Sequence, residues 1–215
     1  MDARRAGQHT RETARRLALR CLVYVAALMG AGAVALATFG MVSVEFFITE
    51  LAVIGALATL DRWWVPKVES WSRGASGEEE IGRLLDGLGN GWLVLHDVHT
   101  GRGNIDHVVV GPAGLFTIET KAHRGRISVD RIDRRMLGQA YAQRKWLERV
   151  SGHDAEALLV FSTAWLDRAP ARRRGVLVLP GRMLAKHLAG RPQVLGVEHM
   201  PAIQSRLERA IAEPG

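Results

Sequence analysis

The chain has 215 residues, enough for one domain with additions or for two small ones, and carries a formal charge of +7 with a pI near 10.4. A single cysteine, Cys21, excludes a disulfide framework and a thiolate zinc site, and agrees with a reducing compartment. The basic residues are nearly all arginine, and their excess suits a polyanionic partner such as nucleic acid or anionic lipid, or else a solvated arginine-rich surface.

Residues 1–20 form a basic tail with six arginines against Asp2 and Glu12. No lysine or arginine then occurs between Arg20 and Arg62. The stretch CLVYVAALMGAGAVALATFGMV (21–42) is uncharged and reaches the roughly 20 helical residues that cross a hydrocarbon core. Its Gly30, Ala31, Gly32 and Ala33 suit close helix packing. A second run, FFITELAVIGALATL (46–60), is broken only by Glu50, and Trp63 and Trp64 before Pro66 and Lys67 resemble an interfacial belt. We therefore expect a transmembrane hairpin over 21–65, with helices at about 21–41 and 45–64. Basic residues flank both outer ends, so the positive-inside rule predicts a cell-membrane protein with two spans and both termini cytoplasmic. A signal peptide ending near Ala37, a single span and a buried soluble hairpin are the competing readings. Glu50 reads as a headgroup-reaching side chain near the outer end, or as a functional carboxyl within the bilayer.

The polar stretch 66–76 reads as a linker. Ser76 then suits an N-cap for a helix over 77–88, with Glu78, Glu79 and Glu80 in its first turn and Ile81, Leu84, Leu85 and Leu88 along one face. Strands follow at 92–98, 105–110 and 115–121, and a further short one at 126–129. The run 134–151 is helical, with Met136, Ala140, Gln143, Leu147 and Val150 on one side. ALLVF (157–161) and GVLVL (175–179) read as buried strands, and Pro201 opens a last helix. This order predicts a mixed α/β layer sandwich.

Gly111-Pro112-Ala113-Gly114 is a turn, so its flanking runs form a hairpin. Pairing Val110 with Leu115 makes facing positions sum to 225 and sets Asp106 opposite Glu119. Their Cβ atoms then stand about 5 Å apart, where like charges repel unless a cation lies between them. Lys121 projects from the face that carries Glu119. His107, Val109, Phe116 and Ile118 form the other, core-facing side. Two carboxylates and an ammonium at one sheet edge make a site for Mg²⁺ or Mn²⁺; the alternative is a structural ion-pair cluster.

These residues carry a resemblance. Gly77-Glu78, Asn104-Ile105-Asp106-His107, Val110-Gly111-Pro112, Gly114-Leu115-Phe116, Glu119-Thr120-Lys121 and Gly125 resemble the nuclease-related domain, NERD, of the PD-(D/E)xK nuclease superfamily. The resemblance runs over roughly 74–162 and implies a restriction-endonuclease-like mixed sheet flanked by helices, within a domain of 77–215 whose motif-bearing core is 77–162. It implies metal-dependent phosphodiester hydrolysis, with DNA the favoured substrate. Asp106, Glu119, the backbone carbonyl of Thr120 and Glu78 would hold Mg²⁺ or Mn²⁺. Lys121 would orient the attacking water and favour its deprotonation. Gln139 takes the family's place on the second helix, although the helical wheel puts Gln143 nearer the apolar stripe. Two other functions stand beside a nuclease: an inactive membrane-tethered module that binds nucleic acid or protein, and a membrane scaffold.

The remaining candidates are plainer. His96, His99 and His107 with Asp97 lack an HExxH pattern and read as core or surface histidines. Gly101 and Gly103 precede a strand and so form no phosphate-binding fingerprint. Arg172-Arg173-Arg174, with Arg124, Arg126 and Arg131, either tracks a phosphate backbone or is a solvated loop. Trp92, Trp146 and Trp165 are expected in the core or at its rim.

Overall fold

The protein's structure is a computed structural model that describes residues 6–40, 43–101 and 103–213. The start of the expected basic tail (1–5) and the end of the expected first span (41–42) lie outside the described residues. Two compact units are present: His9–Arg73, and the segment up to Gln8 together with Gly74 onward.

The first unit is built from two long helices. Helix α1 (Gln8–Phe39) is long and apolar enough to cross a membrane, and Leu22, Val23, Met29 and Val34 stand exposed on it. Gly40, with φ of 72°, ends it in the left-handed conformation that glycine adopts at little cost. Ser43 then opens helix α2 (Val44–Trp63), its hydroxyl accepting from the Phe46 amide at 3.2 Å. The expected second span does not appear as a candidate, and the reason is charge. Glu45, Glu50, Asp61 and Arg62 lie so that any window of membrane length in α2 includes at least three of them. The two helices nevertheless pack on each other: a Cβ on Gly32 would stand 2.7 Å from Glu50 Oε1, and the Tyr24 and Trp64 rings are 6.1 Å apart.

Helix α3 (Val65–Asp86) occupies the stretch expected as a linker. Pro66 falls in the first turn, where its missing N–H breaks no helical bond, and Glu69 pairs with Arg73 one turn on at 3.2 Å. Ser76 is thus no N-cap but lies within the helix, and Gly77 is buried there.

In the second unit six strands form one sheet in the order β1 (Leu93–His99), β2 (Asn104–Gly111), β3 (Gly114–Lys121), β5 (Ala155–Phe161), β8 (Val176–Pro180) and β7 (Ala171–Arg173). The first three, β1, β2 and β3, are an antiparallel meander. The register pairs Val110 with Leu115 and His107 with Ile118, as the turn required. Helix α4 (Arg134–Ser151) crosses over to bring β5 parallel to β3, and β8 lies parallel to β5. Gly152, at φ of 75°, closes α4. The expected strand at 126–129 is shorter, only β4 (Arg126–Ile127), which pairs with β6 (Trp165–Leu166) outside the main sheet.

Three further elements escape a periodicity reading. They are β6, the edge strand β7 (Ala171–Arg173) and helix α5 (Gly181–Ala189). Helix α6 (Met200–Ala212) ends the fold.

Alternation along the strands sorts the core into two faces. Val109, Phe116, Ile118, Leu158 and Val160 pack under Ile81 and Leu85 of α3 and Leu184 and Leu188 of α5. On the opposite face, α4 and α6 cover Val108, Val110, Leu115, Ala157 and Leu159. Asp106 and Glu119 alternate with this second set, which aims both carboxylates toward α4.

Candidate active site

The β2–β3 ladder is paired as far as His107 and Ile118. At the next position Asp106 uses its side chain where a backbone bond would otherwise stand: its Oδ2 accepts the Thr120 amide at 2.7 Å. The carboxylate is thereby fixed against β3, beside Glu119. Glu119 is 2% exposed, and each of its oxygens is held. Lys121 Nζ donates to Oε1 at 2.5 Å and Gln143 Nε2 to Oε2 at 2.5 Å. The same Gln143 nitrogen donates to the Asn104 carbonyl at 3.3 Å, so α4 clamps β2 and β3 together at the site. Asn104 in turn donates to Asp97 at 2.6 Å and contacts His99 Nδ1 at 2.8 Å.

Glu78 reaches this cluster from α3 because of its neighbour. A Cβ at Gly77 would stand 2.7 Å from Ser162 Oγ and 2.9 Å from Ala122 Cβ, so only glycine lets the helix pass this close to the ends of β3 and β5. Glu78 is close enough to perturb both Asp106 and Lys121 electrostatically.

The electrostatics follow from three carboxylates facing one ammonium. Burial, then the Glu119 and Glu78 charges, push the Asp106 carboxyl well above the usual range, and the Thr120 amide and Lys121 offset only part of this. For Lys121, burial works to lower the pKa. The charge and hydrogen bond of Glu119, with the charges of Asp106 and Glu78, outweigh it and raise the ammonium above its ordinary value. Lys121 is therefore a protonated donor at neutral pH.

The structure brings Asp106, Glu119, Lys121 and Glu78 to one end of the β2–β3 hairpin, where the amide of Thr120, next to Glu119 in sequence, is bonded to Asp106. Gln139 is exposed, and it is Gln143, one turn further along α4, that meets Glu119. The signal for Gln143 was present in the sequence: a glutamine on the apolar side of an amphipathic helix must find a polar partner when buried. Its Oε1 is buried without a partner among the described residues.

The donors are hard oxygens of the class that suits Mg²⁺ or Mn²⁺, and a dication would relieve the crowding of negative charge around Asp106. Among the described residues no three His, Cys, Asp or Glu side chains stand ready as a metal cage. Asp106 and Glu119 fit as a two-carboxylate pair.

His96 and His107 lie on the opposite face from Asp106, with Nδ1 atoms 2.8 Å apart and His96 Nε2 3.0 Å from Asp86. His107 belongs to the core, as its place on β2 predicts.

Residues 73–164 match the nuclease-related domain, NERD. The NERD segment includes Glu78, Asp106, Glu119, Lys121 and Gln143, while β8, α5 and α6 lie beyond it. An uncharacterized protein of Bacillus anthracis is 36% identical over 89 residues, which are 39% of this chain and 42% of that protein. The chain thus spans less than half the length of this curated relative. The solved structure of SfsA from Pyrococcus furiosus in complex with Ca²⁺ is 15% identical and covers 64% of this chain and 52% of its own. Its TM-score is 0.24, too low to make the two folds equivalent.

Proposed function

We propose that the chain is a membrane-anchored nuclease that hydrolyses phosphodiester bonds of nucleic acid, DNA above all, with Mg²⁺ or Mn²⁺, on a restriction-endonuclease-like frame. The observation that carries this reading is the convergence of Asp106, Glu119 and Lys121 at one end of a hairpin inside a segment that matches a nuclease-related domain. Asp106, Glu119, the Thr120 carbonyl and Glu78 are the residues that would hold the cation. When bound, it supplies a water of lowered pKa and neutralises charge on the phosphate.

The chain's own groups do the rest. Lys121, kept protonated by its acidic neighbours, donates N–H bonds to the attacking water or to a phosphate oxygen and stabilises negative charge developing there. Gln143 and Lys121 hold Glu119 in one orientation, and the Thr120 amide does the same for Asp106. A water oxygen then bonds to phosphorus and releases one proton to solvent, the bond from phosphorus to one sugar oxygen breaks, and the departing oxygen takes up a proton from solvent.

The bilayer is the second partner, engaged through residues 21–65. One helix, α1, is long and apolar enough to span. A paired second span is supported by Glu50 facing Gly32 on α1 and by Asp61 and Arg62 lying at the end of α2. With basic residues at the outer ends of both helices, Arg11, Arg15, Arg16 and Arg20 in α1 and Arg62 in α2, this orientation puts both termini and the nuclease domain in the cytoplasm.

A second reading has its own observation. Both Glu119 oxygens are satisfied by Lys121 and Gln143, as in a structural ion-pair cluster, and this favours an inactive tethered module that binds nucleic acid or protein. Cleavage separates the two. The full chain in detergent is incubated with supercoiled, linear and single-stranded DNA in Mg²⁺, Mn²⁺ or EDTA, beside Asp106→Asn and Glu119→Gln. Cleavage that needs metal and disappears in both variants supports the nuclease. Folded but inert wild-type protein in every arm leaves the binding module.

A further inference from the structure

Trp165 departs from the expectation of a core or rim residue: it is 63% exposed. Little apolar surface is gained by holding an indole in water, so its position is unusual for a residue of its size. It is also rigidly placed. The Trp165 amide donates to the Gly125 carbonyl at 2.9 Å, β6 pairs Trp165 with Arg126 of β4, and Thr163 Oγ1 donates to the His123 carbonyl at 2.6 Å. The Arg182 guanidinium lies over its ring, 4.3 Å from the centroid. Directly paired residues leave a sheet on the same side, so the Arg126 side chain starts from the backbone beside Trp165.

This platform stands at the catalytic end of the sheet. β3, β5 and β8 run parallel, and their C-terminal ends lead into Lys121, Ser162 and Arg182 respectively. The Ser162 amide donates to the Lys121 carbonyl at 3.1 Å, and Trp165 follows three residues later, no more than about 11 Å of extended chain away.

We infer that Trp165, backed by Arg182 and paired with Arg126, is a stacking platform for an unpaired nucleobase within a few nucleotides of the phosphate held at Asp106, Glu119 and Lys121, which makes a single strand or a frayed end the preferred substrate. The inference rests on the nuclease reading for what it positions. Its chemistry is specific: the indole offers a flat apolar face to a base, while the two guanidiniums meet the neighbouring phosphates. Within a duplex the bases stay stacked on each other, and none is presented to the ring unless an end frays.

The test needs no cleavage. The full chain in detergent with EDTA is titrated into three fluorescently labelled probes of equal length: a thymidine oligonucleotide, the same length as a blunt duplex, and an oligonucleotide carrying abasic sites throughout. Anisotropy reads the affinity. The expected result is tightest binding to the thymidine strand, a loss of about tenfold for that strand alone in Trp165→Ala, and near-recovery in Trp165→Phe. Equal weakening on all three probes would reduce Trp165 to a structural role and overturn the inference, as would no change on any. Wild-type protein that binds none of the probes overturns the inference and the nucleic-acid reading together. Base-selective binding by a protein that never cleaves would retain the platform and remove the nuclease.

Discussion

Acid should loosen the fold through His107. This ring is fully buried between β1, β3 and α3, and its protonation is disfavoured first by burial and then by His96, which lowers its pKa to about 3 from an ordinary 6.5. The hydrogen bonds explain why a proton has no place there. His96 Nε2 faces the Asp86 carboxylate and is best served as a donor, so His96 Nδ1 accepts and His107 Nδ1 donates. His107 Nε2 then has no partner among the described residues, and a proton on it would be a buried donor with nothing to meet.

The sign follows from linkage. The folded pKa is depressed, so below 6.5 the unfolded chain binds the proton and the folded chain does not. Stability is full above about pH 6.5 and falls as pH drops toward 3, at about 1.4 kcal/mol per pH unit for this one group. Between pH 7 and pH 5 the loss is about 2 kcal/mol. Urea titration of the full chain in detergent, followed by circular dichroism, reads it directly. The His107→Leu variant, which has no proton to exclude, should start lower by about 1–2 kcal/mol because His96 Nδ1 loses its partner, yet show a shallower fall between the two pH values. An identical fall in wild type and variant would refute this account of the buried pair.

Two other substitutions probe the frame of the site. Gly77→Ala puts a methyl 2.9 Å from Ala122 Cβ, so α3 must shift; about 1–3 kcal/mol of stability should be lost, together with most of any cleavage that depends on Glu78, and an added Ala122→Gly should restore part of both in melting and cleavage assays. Gln143→Leu removes the donor shared by Glu119 and Asn104 and should cost about 1–3 kcal/mol and at least tenfold in cleavage rate, whereas Gln139→Ala, at an exposed position, should change stability by less than about 0.5 kcal/mol and reduce cleavage less. Equal effects of the two glutamine variants on cleavage would restore Gln139 to the site.

Much of this site was legible because a tight turn fixes register. Once Gly111-Pro112-Ala113-Gly114 is a turn, facing positions follow by arithmetic, and Asp106 and Glu119 cannot avoid each other. Alternation then assigns His107 to the core and Glu119 to the α4 side. Features set by tertiary contact were not legible in that way. Ser76 and Gly77 carry the local signals of a helix start, but close packing of Gly77 on Ala122 and Ser162 lets α3 run through them. The strands β6 and β7 have two and three residues, too few to show a period. Gln143 was visible as a polar residue on an apolar stripe, yet only the approach of α4 to β3 shows that Glu119 is its partner. Trp165 is expected by residue type in the core or at its rim, whereas its pairing with β4, outside the main sheet, keeps it in solvent.

The account's central claim is that Asp106 and Glu119 form a metal-binding pair and not an ion-pair cluster closed by Lys121 and Gln143. Counting Mn²⁺ bound to the full chain by electron paramagnetic resonance tests this most directly, because it requires neither the right nucleic acid nor turnover. The prediction is saturable binding that is competed by Mg²⁺ and lost in both Asp106→Asn and Glu119→Gln, with the fold of each variant checked by circular dichroism. No binding by the wild-type protein, or binding that survives both substitutions, would contradict it and leave the carboxylate pair as structure alone.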